Sequence, residues 1–404
     1  MSTVISGATG TSRAGVALVY ASGLLQGLVM VSIPASSAVL KSLQGLSDAQ
    51  YGAIFLPQVA LAVVGSIGGG SLARTLGLKP LLVLALIANV LSQLLLGASA
   101  VGPPDTAFAL VLLATGALGL AFGLNGAPLN GFPPALFPDR RDAAVVAMHT
   151  LLGLGLAVGP LVVAPFVASD LWMGFPLLLA SLSLLVAIAV LGVRLPRNAG
   201  EGGATPEPRE KLPLGETLFW SFAVITVLYA FAEGTFANWA VIYLNEALGV
   251  PETTAGLAIT VFWGALVAGR LAASALVLRV ATQVIWLLLP ALMIVTFLLL
   301  PLARGGAIGI GLFALAGLAC SAFFPLTIAL VSRLFPSHVE WVSSMMIAAL
   351  MLGVGLGSFV FGPLRELLSF AELYRLSALY PALALVLVVV VVRSKSFRQT
   401  IRET

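Results

Sequence analysis

Thr217–Tyr243 reads TLFWSFAVITVLYAFAEGTFANWAVIY, a run in which Glu233 is the one side chain with a formal charge. About 20 apolar residues wound as a helix cover the roughly 30 Å of a bilayer's hydrocarbon core, so this run is long enough to cross a membrane. An ionised carboxylate at that depth costs about 2.5–3.5 kcal/mol on insertion scales, and a chain that keeps one there usually uses it. Glu233 is therefore the first candidate for a proton or solute site.

Working outward, charge-free runs recur along the whole chain. The 404 residues are 60% hydrophobic and 9% charged, with a mean hydropathy of +1.09, where a soluble domain carries about 25% charged residues. This composition excludes an ordinary soluble enzyme and predicts an all-α, polytopic membrane protein. Charges, prolines and turn residues punctuate it into twelve spans, near 14–40, 49–72, 80–101, 106–135, 143–168, 172–193, 217–244, 253–278, 281–302, 306–332, 341–364 and 373–392. The first thirteen residues hold Arg13 as their sole charge and lead straight into a run too long for a cleaved leader. The first span is expected to act as its own insertion signal. The lone Cys320 excludes an internal disulfide, and two histidines with one cysteine leave no zinc cluster. No metal or cofactor is expected.

Of the 20 Lys and Arg residues, Lys41, Arg304, Arg365 and Arg375 fall on the side away from the termini, and the other sixteen on the terminal side or near it. By the positive-inside rule both termini should be cytoplasmic, in a cell (inner or plasma) membrane. The net charge of +4 then follows from topology and calls for no nucleic acid.

The longest polar interval, 195–216, is rich in Gly, Pro and charge and cannot bury a core. It divides the chain into six-span halves, 1–194 and 217–404. Internal repeats agree: Leu136-Phe137-Pro138 returns as Leu334-Phe335-Pro336, Gly155 and Gly159 as Gly353 and Gly357, and Gln26-Gly27 corresponds to Glu233-Gly234. Two parallel six-helix repeats are a transporter architecture, with the solute site between them near the midplane.

Gly70-Ser71-Leu72-Ala73-Arg74-Thr75-Leu76-Gly77-Leu78-Lys79, between spans two and three, resembles the G-x-L-A-D-R-x-G-R-K loop of the major facilitator superfamily. The resemblance covers essentially the whole chain and implies two pseudo-symmetric six-helix bundles working by alternating access as a monomer. Arg74 stands at the loop's acidic position and Thr75 at the basic one after it. The stretch Gly119–Asn130, His149, Gly153–Pro160, Tyr229–Tyr243 and Phe262–Arg270 is similar to the fucose/galactose/glucose proton symporter branch. That likeness implies a sugar as solute and a proton as driving ion. The acidic residues which fucose carriers of the branch place in spans one and four are here Gln26 and Asn125.

Site candidates follow from residue chemistry. Glu233 lies some sixteen residues into its span, roughly 24 Å from the cytoplasmic end at about 1.5 Å per residue, and is the expected proton carrier. Gln26, Gln58, Asn125, Asn130 and Asn238 can replace the hydration of a polar solute, and Tyr229, Phe236, Trp239 and Trp263 can give a sugar ring a face to stack on. Each amide serves as readily to bridge helices, and each aromatic to fill a core. Gly70, Arg74, Gly77, Lys79, Arg141, His149 and Arg270 are assigned to gating. Arg270 is expected nearer the cytoplasm than Glu233, within reach of the interface by snorkelling. The absence of G-x-x-x-x-G-K-[ST], H-E-x-x-H and G-x-S-x-G motifs removes P-loop energisation and two hydrolytic classes. A proton-driven exporter of amphipathic drugs or lipids is the competing reading. A membrane sensor or enzyme ranks third, for want of a soluble domain or catalytic constellation.

Overall fold

The computed structural model describes residues 12–196 and 212–403, so most of the expected linker lies outside the described residues. Within them the chain forms helices and no strands. Twelve helices are long and apolar enough to cross a membrane: Arg13–Ala35, Asp48–Ala73, Leu78–Val101, Thr106–Leu136, Ala143–Ala168, Gly174–Gly192, Thr217–Ala247, Glu252–Leu276, Thr282–Leu302, Gly306–Leu334, Trp341–Arg365 and Phe370–Arg393. Hydrocarbon offers backbone groups no partner, so each span satisfies its own N–H and C=O groups as a helix.

Prolines explain where spans break. Span one was expected to run to residue 40 but stops at Ala35, and a second helix, Ser37–Gln44, follows. Pro34 lacks the N–H that would bond the preceding turn, and the chain tightens there, with Ser36 N bonding Ile33 O at 3.1 Å. Span ten likewise divides into Gly306–Cys320 and Phe323–Leu334. Pro325 cannot donate to the Ser321 carbonyl four residues before it. At the start of span three, Gly77 has φ +87°, a backbone that disfavours any side chain, which is why the loop motif needs glycine there.

Glycine seams join the helices, and the same pairs are joined in each half. A methyl group at Gly27 in span one would stand 2.0 Å from Leu152 O in span five; at Gly234 in span seven it would stand 2.6 Å from Val354 O in span eleven. Between spans two and four, a methyl at Gly123 would meet Ala62 O at 2.3 Å, and between spans eight and ten one at Gly317 would meet Phe262 O at 2.0 Å. One–five and two–four thus reappear as seven–eleven and eight–ten.

The chain packs into two compact units. One comprises the described parts of 1–32, 60–159 and 171–205; the other comprises 33–59, 160–170 and the described residues from 212 on. The second unit therefore contains the connection between spans one and two as well as spans seven to twelve.

Candidate functional site

In the second unit, Tyr229 and Glu233 are one helical turn apart on a shared face of span seven, and Glu233 is 8% exposed. Opposite them is the break in span ten. The Tyr229 hydroxyl donates to Cys320 O at 3.0 Å, and Arg270 Nε donates to Ser321 O, the carbonyl that Pro325 leaves free, also at 3.0 Å. Gly269 lets span eight come close enough to hold the arginine there, since a methyl at that position would lie 2.5 Å from Ser321 Oγ. The Arg270 charge acts on Glu233, Tyr229 and Cys320, and Tyr229 also faces the Glu233 carboxyl. Arg270 is thus held against the break in span ten, with its charge acting on Glu233. The two are not ion-paired, for the ion pairs among the described residues all lie elsewhere.

Three further candidates of this unit, Phe236, Asn238 and Trp239, are buried in its packing. Phe236 stacks on Phe297 at 3.9 Å between centroids, and Trp239 is buried with its indole N–H donating to Ser358 O at 3.3 Å. Asn238 donates to Ser358 Oγ at 2.7 Å. Trp263, edge-on to Phe262, and Gln58 are half-buried.

In the first unit, Gln26 and Asn125 come together with an amide that the sequence reading had passed over. Asn89 Nδ2 and Asn125 Nδ2 both donate to Gln26 Oε1, at 3.1 and 3.0 Å, and all three residues are fully buried. A turn further along span three, Gln93 Nε2 donates to Ser32 Oγ at 3.1 Å. Asn89 and Gln93 are themselves a polar pair four residues apart in an apolar span, which was the available signal. His149 Nε2 and Asn130 Oδ1 are 3.0 Å apart.

Among the gating candidates, Lys79 Nζ donates to Leu191 O and Val193 O at 3.0 and 2.7 Å, closing the carbonyl end of span six. Arg141 Nε donates to Pro138 O at 3.3 Å, and a methyl on Gly70 would meet nothing within 4 Å. The side chain of Arg74 is outside what is described.

A charge network escaped the sequence reading, which used Lys41 and Arg365 only to orient the chain. Lys41 after span one, Asp48 opening span two, Glu246 closing span seven and Arg365 closing span eleven alternate in sign. Lys41 Nζ meets Asp48 Oδ1 at 2.6 Å and also Glu246 Oε1; Arg365 lies 3.8 Å from Asp48 Oδ2 and 3.6 Å from Glu246 Oε2. Beneath it, the Tyr51 hydroxyl donates to Asn238 O at 2.8 Å and its ring meets Trp239 edge-on at 5.1 Å.

The sequence profile of the Major Facilitator Superfamily matches residues 16–309. An uncharacterised transporter of this type from Yersinia pestis is 26% identical over 155 residues, 38% of this chain and 39% of its own length. The fold is similar to that of a mutant form of the nucleoside transporter NupG (TM-score 0.76, 14% identity, 94% of this chain and 99% of that one). It is similar also to a D-xylose-proton symporter (0.74, 16%, 92% and 96%) and to a bacterial homologue of the human lysosomal transporter Spinster (0.69, 15%, 98% and 98%).

Proposed function

We infer the function outward from one fact: the chain belongs to the Major Facilitator Superfamily and is a transporter of that family. The reading is a secondary carrier that moves a small polar solute across the cell membrane by alternating access and couples each cycle to a proton on Glu233. The observation that carries it is the placement of Glu233, a carboxyl within a span, 8% exposed and facing Tyr229 and the Arg270 charge at the break in span ten. A carboxyl so placed can change protonation state as its surroundings alternate between the two sides. Sugars are the first solutes to try, given the likeness to the fucose/galactose/glucose branch and a D-xylose-proton symporter of the same fold. Nucleosides come next, since NupG shares that fold. The bias of Lys and Arg toward the terminal side supports cytoplasmic termini, and the six-span halves are proposed as the moving bodies.

The test uses purified protein in liposomes, with a solute chosen by thermal-shift screening of sugars and nucleosides at two pH values, because a ligand raises stability by mass action. Glu233→Gln mimics the protonated carboxyl. It should abolish accumulation against a gradient and leave solute exchange largely intact, since exchange need not return an empty, deprotonated carrier. Normal proton-driven accumulation by this variant would remove Glu233 as the coupling residue.

A further inference from the structure

The arrangement around Arg270 has a consequence for the solute. A guanidinium has five N–H donors in a rigid plane, and the structure commits Nε alone, to Ser321 O at 3.0 Å. Anchoring Nε fixes the plane and leaves the two Nη groups as a fork. Arg270 is exposed as a residue, and no acid among the described residues pairs with it. A charged side chain inside a span faces protein or a water-filled cavity rather than lipid. The groups facing it are Glu233 and Tyr229 from span seven and Cys320 and Ser321 from span ten. The Ser321 carbonyl orients the guanidinium without neutralising it.

We propose that the Nη fork of Arg270 is the binding site for an oxyanion, a carboxylate or phosphate group carried by the solute, and that Glu233 competes with that group for the same positive charge. The proposal rests on the reading of Glu233 as proton carrier and narrows the solute from polar to anionic. Ionised Glu233 already answers part of the arginine's field and repels a second anion. Once protonated, it leaves a pre-oriented guanidinium with no counter-charge, a fork suited to charge-assisted hydrogen bonds with an oxyanion. Proton and anion then favour each other's binding by the same factor, as linkage requires. No covalent step is involved.

The experiment measures thermal stability of the full-length protein in detergent against acetate, inorganic phosphate, glucose and chloride at matched ionic strength. Acetate stands for a carboxylate solute and phosphate for a phosphorylated one. The midpoint should rise with at least one oxyanion and not with chloride, at a concentration about tenfold lower near pH 5.5 than near pH 8, in keeping with typical coupling factors. Arg270→Gln should lose the shift, and Arg270→Lys, which keeps charge without the fork, should weaken it. Glu233→Gln should keep it and lose its pH dependence. Stabilisation by glucose alone, by neither oxyanion, or equally in Arg270→Gln overturns the anion site. If Arg270→Gln does not fold, phenylglyoxal labelling of Arg270 in the wild-type chain decides: protection by acetate or phosphate supports the site, and unchanged labelling overturns it. The two readings fail separately. Proton-driven accumulation by Glu233→Gln removes coupling and leaves anion binding standing, whereas loss of coupling without an oxyanion effect does the reverse.

Discussion

Gln26 Oε1 accepts from two carboxamides at once, so this one neutral side chain ties span one to spans three and four. Removing it strands two buried N–H donors, whereas removing Asn89 strands none of Gln26's remaining bonds. Gln26→Leu should therefore destabilise more than Asn89→Ala. Hydrogen bonds between transmembrane helices average about 0.6 kcal/mol and reach about 1.7, so the expected losses are about 1–3 kcal/mol for Gln26→Leu and about half that for Asn89→Ala. Unfolding in detergent measures both, and equal losses would show that the cluster is held by something other than its shared acceptor. These residues also mark how far residue chemistry can be read from sequence. Glu233 stood out because a charge in an apolar span has few explanations. An amide in a span has two, and which face it presents is set by neighbours far along the chain. Gln26 and Asn125, read from sequence as solute candidates, bond each other inside one bundle.

Span positions were legible, since length and hydropathy fix them within a few residues, while the breaks inside spans one and ten were not. Pro34 and Pro325 each remove a donor, but a helix interrupted by proline persists or divides according to what takes up the freed carbonyl. For span ten the acceptors are met by Tyr229 and Arg270, from two other spans. The glycines of the internal repeat, Gly155 and Gly159 with Gly353 and Gly357, and Gly27 with Gly234, lie at helix contacts. Their repeat across the halves gives an element-level prediction. Gly27→Ala and Gly234→Ala each force a methyl into an opposing backbone carbonyl, at 2.0 and 2.6 Å, and overpacking of this kind costs about 1–3 kcal/mol. Gly126→Ala, with nothing within 4 Å of the added methyl, should be neutral or gain up to about 1 kcal/mol in helix propensity. Melting curves of the three variants check the order, and a Gly126 variant as unstable as the other two would refute the seam argument.

The orientation of the whole chain decides which side of the membrane the charge network faces. A cysteine placed at Arg304 should label from outside the cell and one at Arg209 only after permeabilisation; native Cys320 is buried and stays silent. The reverse pattern would invert the orientation. If the orientation stands, Lys41, Asp48, Glu246 and Arg365 lie at the outer end of the second unit, and the alternating cycle proposed above requires that they separate in every turnover. Isolated surface pairs contribute about 0–1 kcal/mol, but four charges of alternating sign, three of them half-buried, act as a set in which each residue answers two opposite neighbours. Lys41→Glu converts two attractions into repulsions and leaves Arg365 facing three acids. Lys41→Glu with Glu246→Lys restores the Lys41–Glu246 pair with its partners exchanged, yet sets the new glutamate against Asp48 and the new lysine against Arg365, so it should recover closure only in part. Ser37→Cys, a fully buried position in the same unit, reports the outcome. Its thiol should be protected in the otherwise wild-type chain, react readily with an impermeant reagent in the Lys41→Glu background, and react at an intermediate rate in the double exchange. Protection that persists in Lys41→Glu would mean that the aromatic layer of Tyr51 and Trp239 closes this end unaided and that the charges do not gate it.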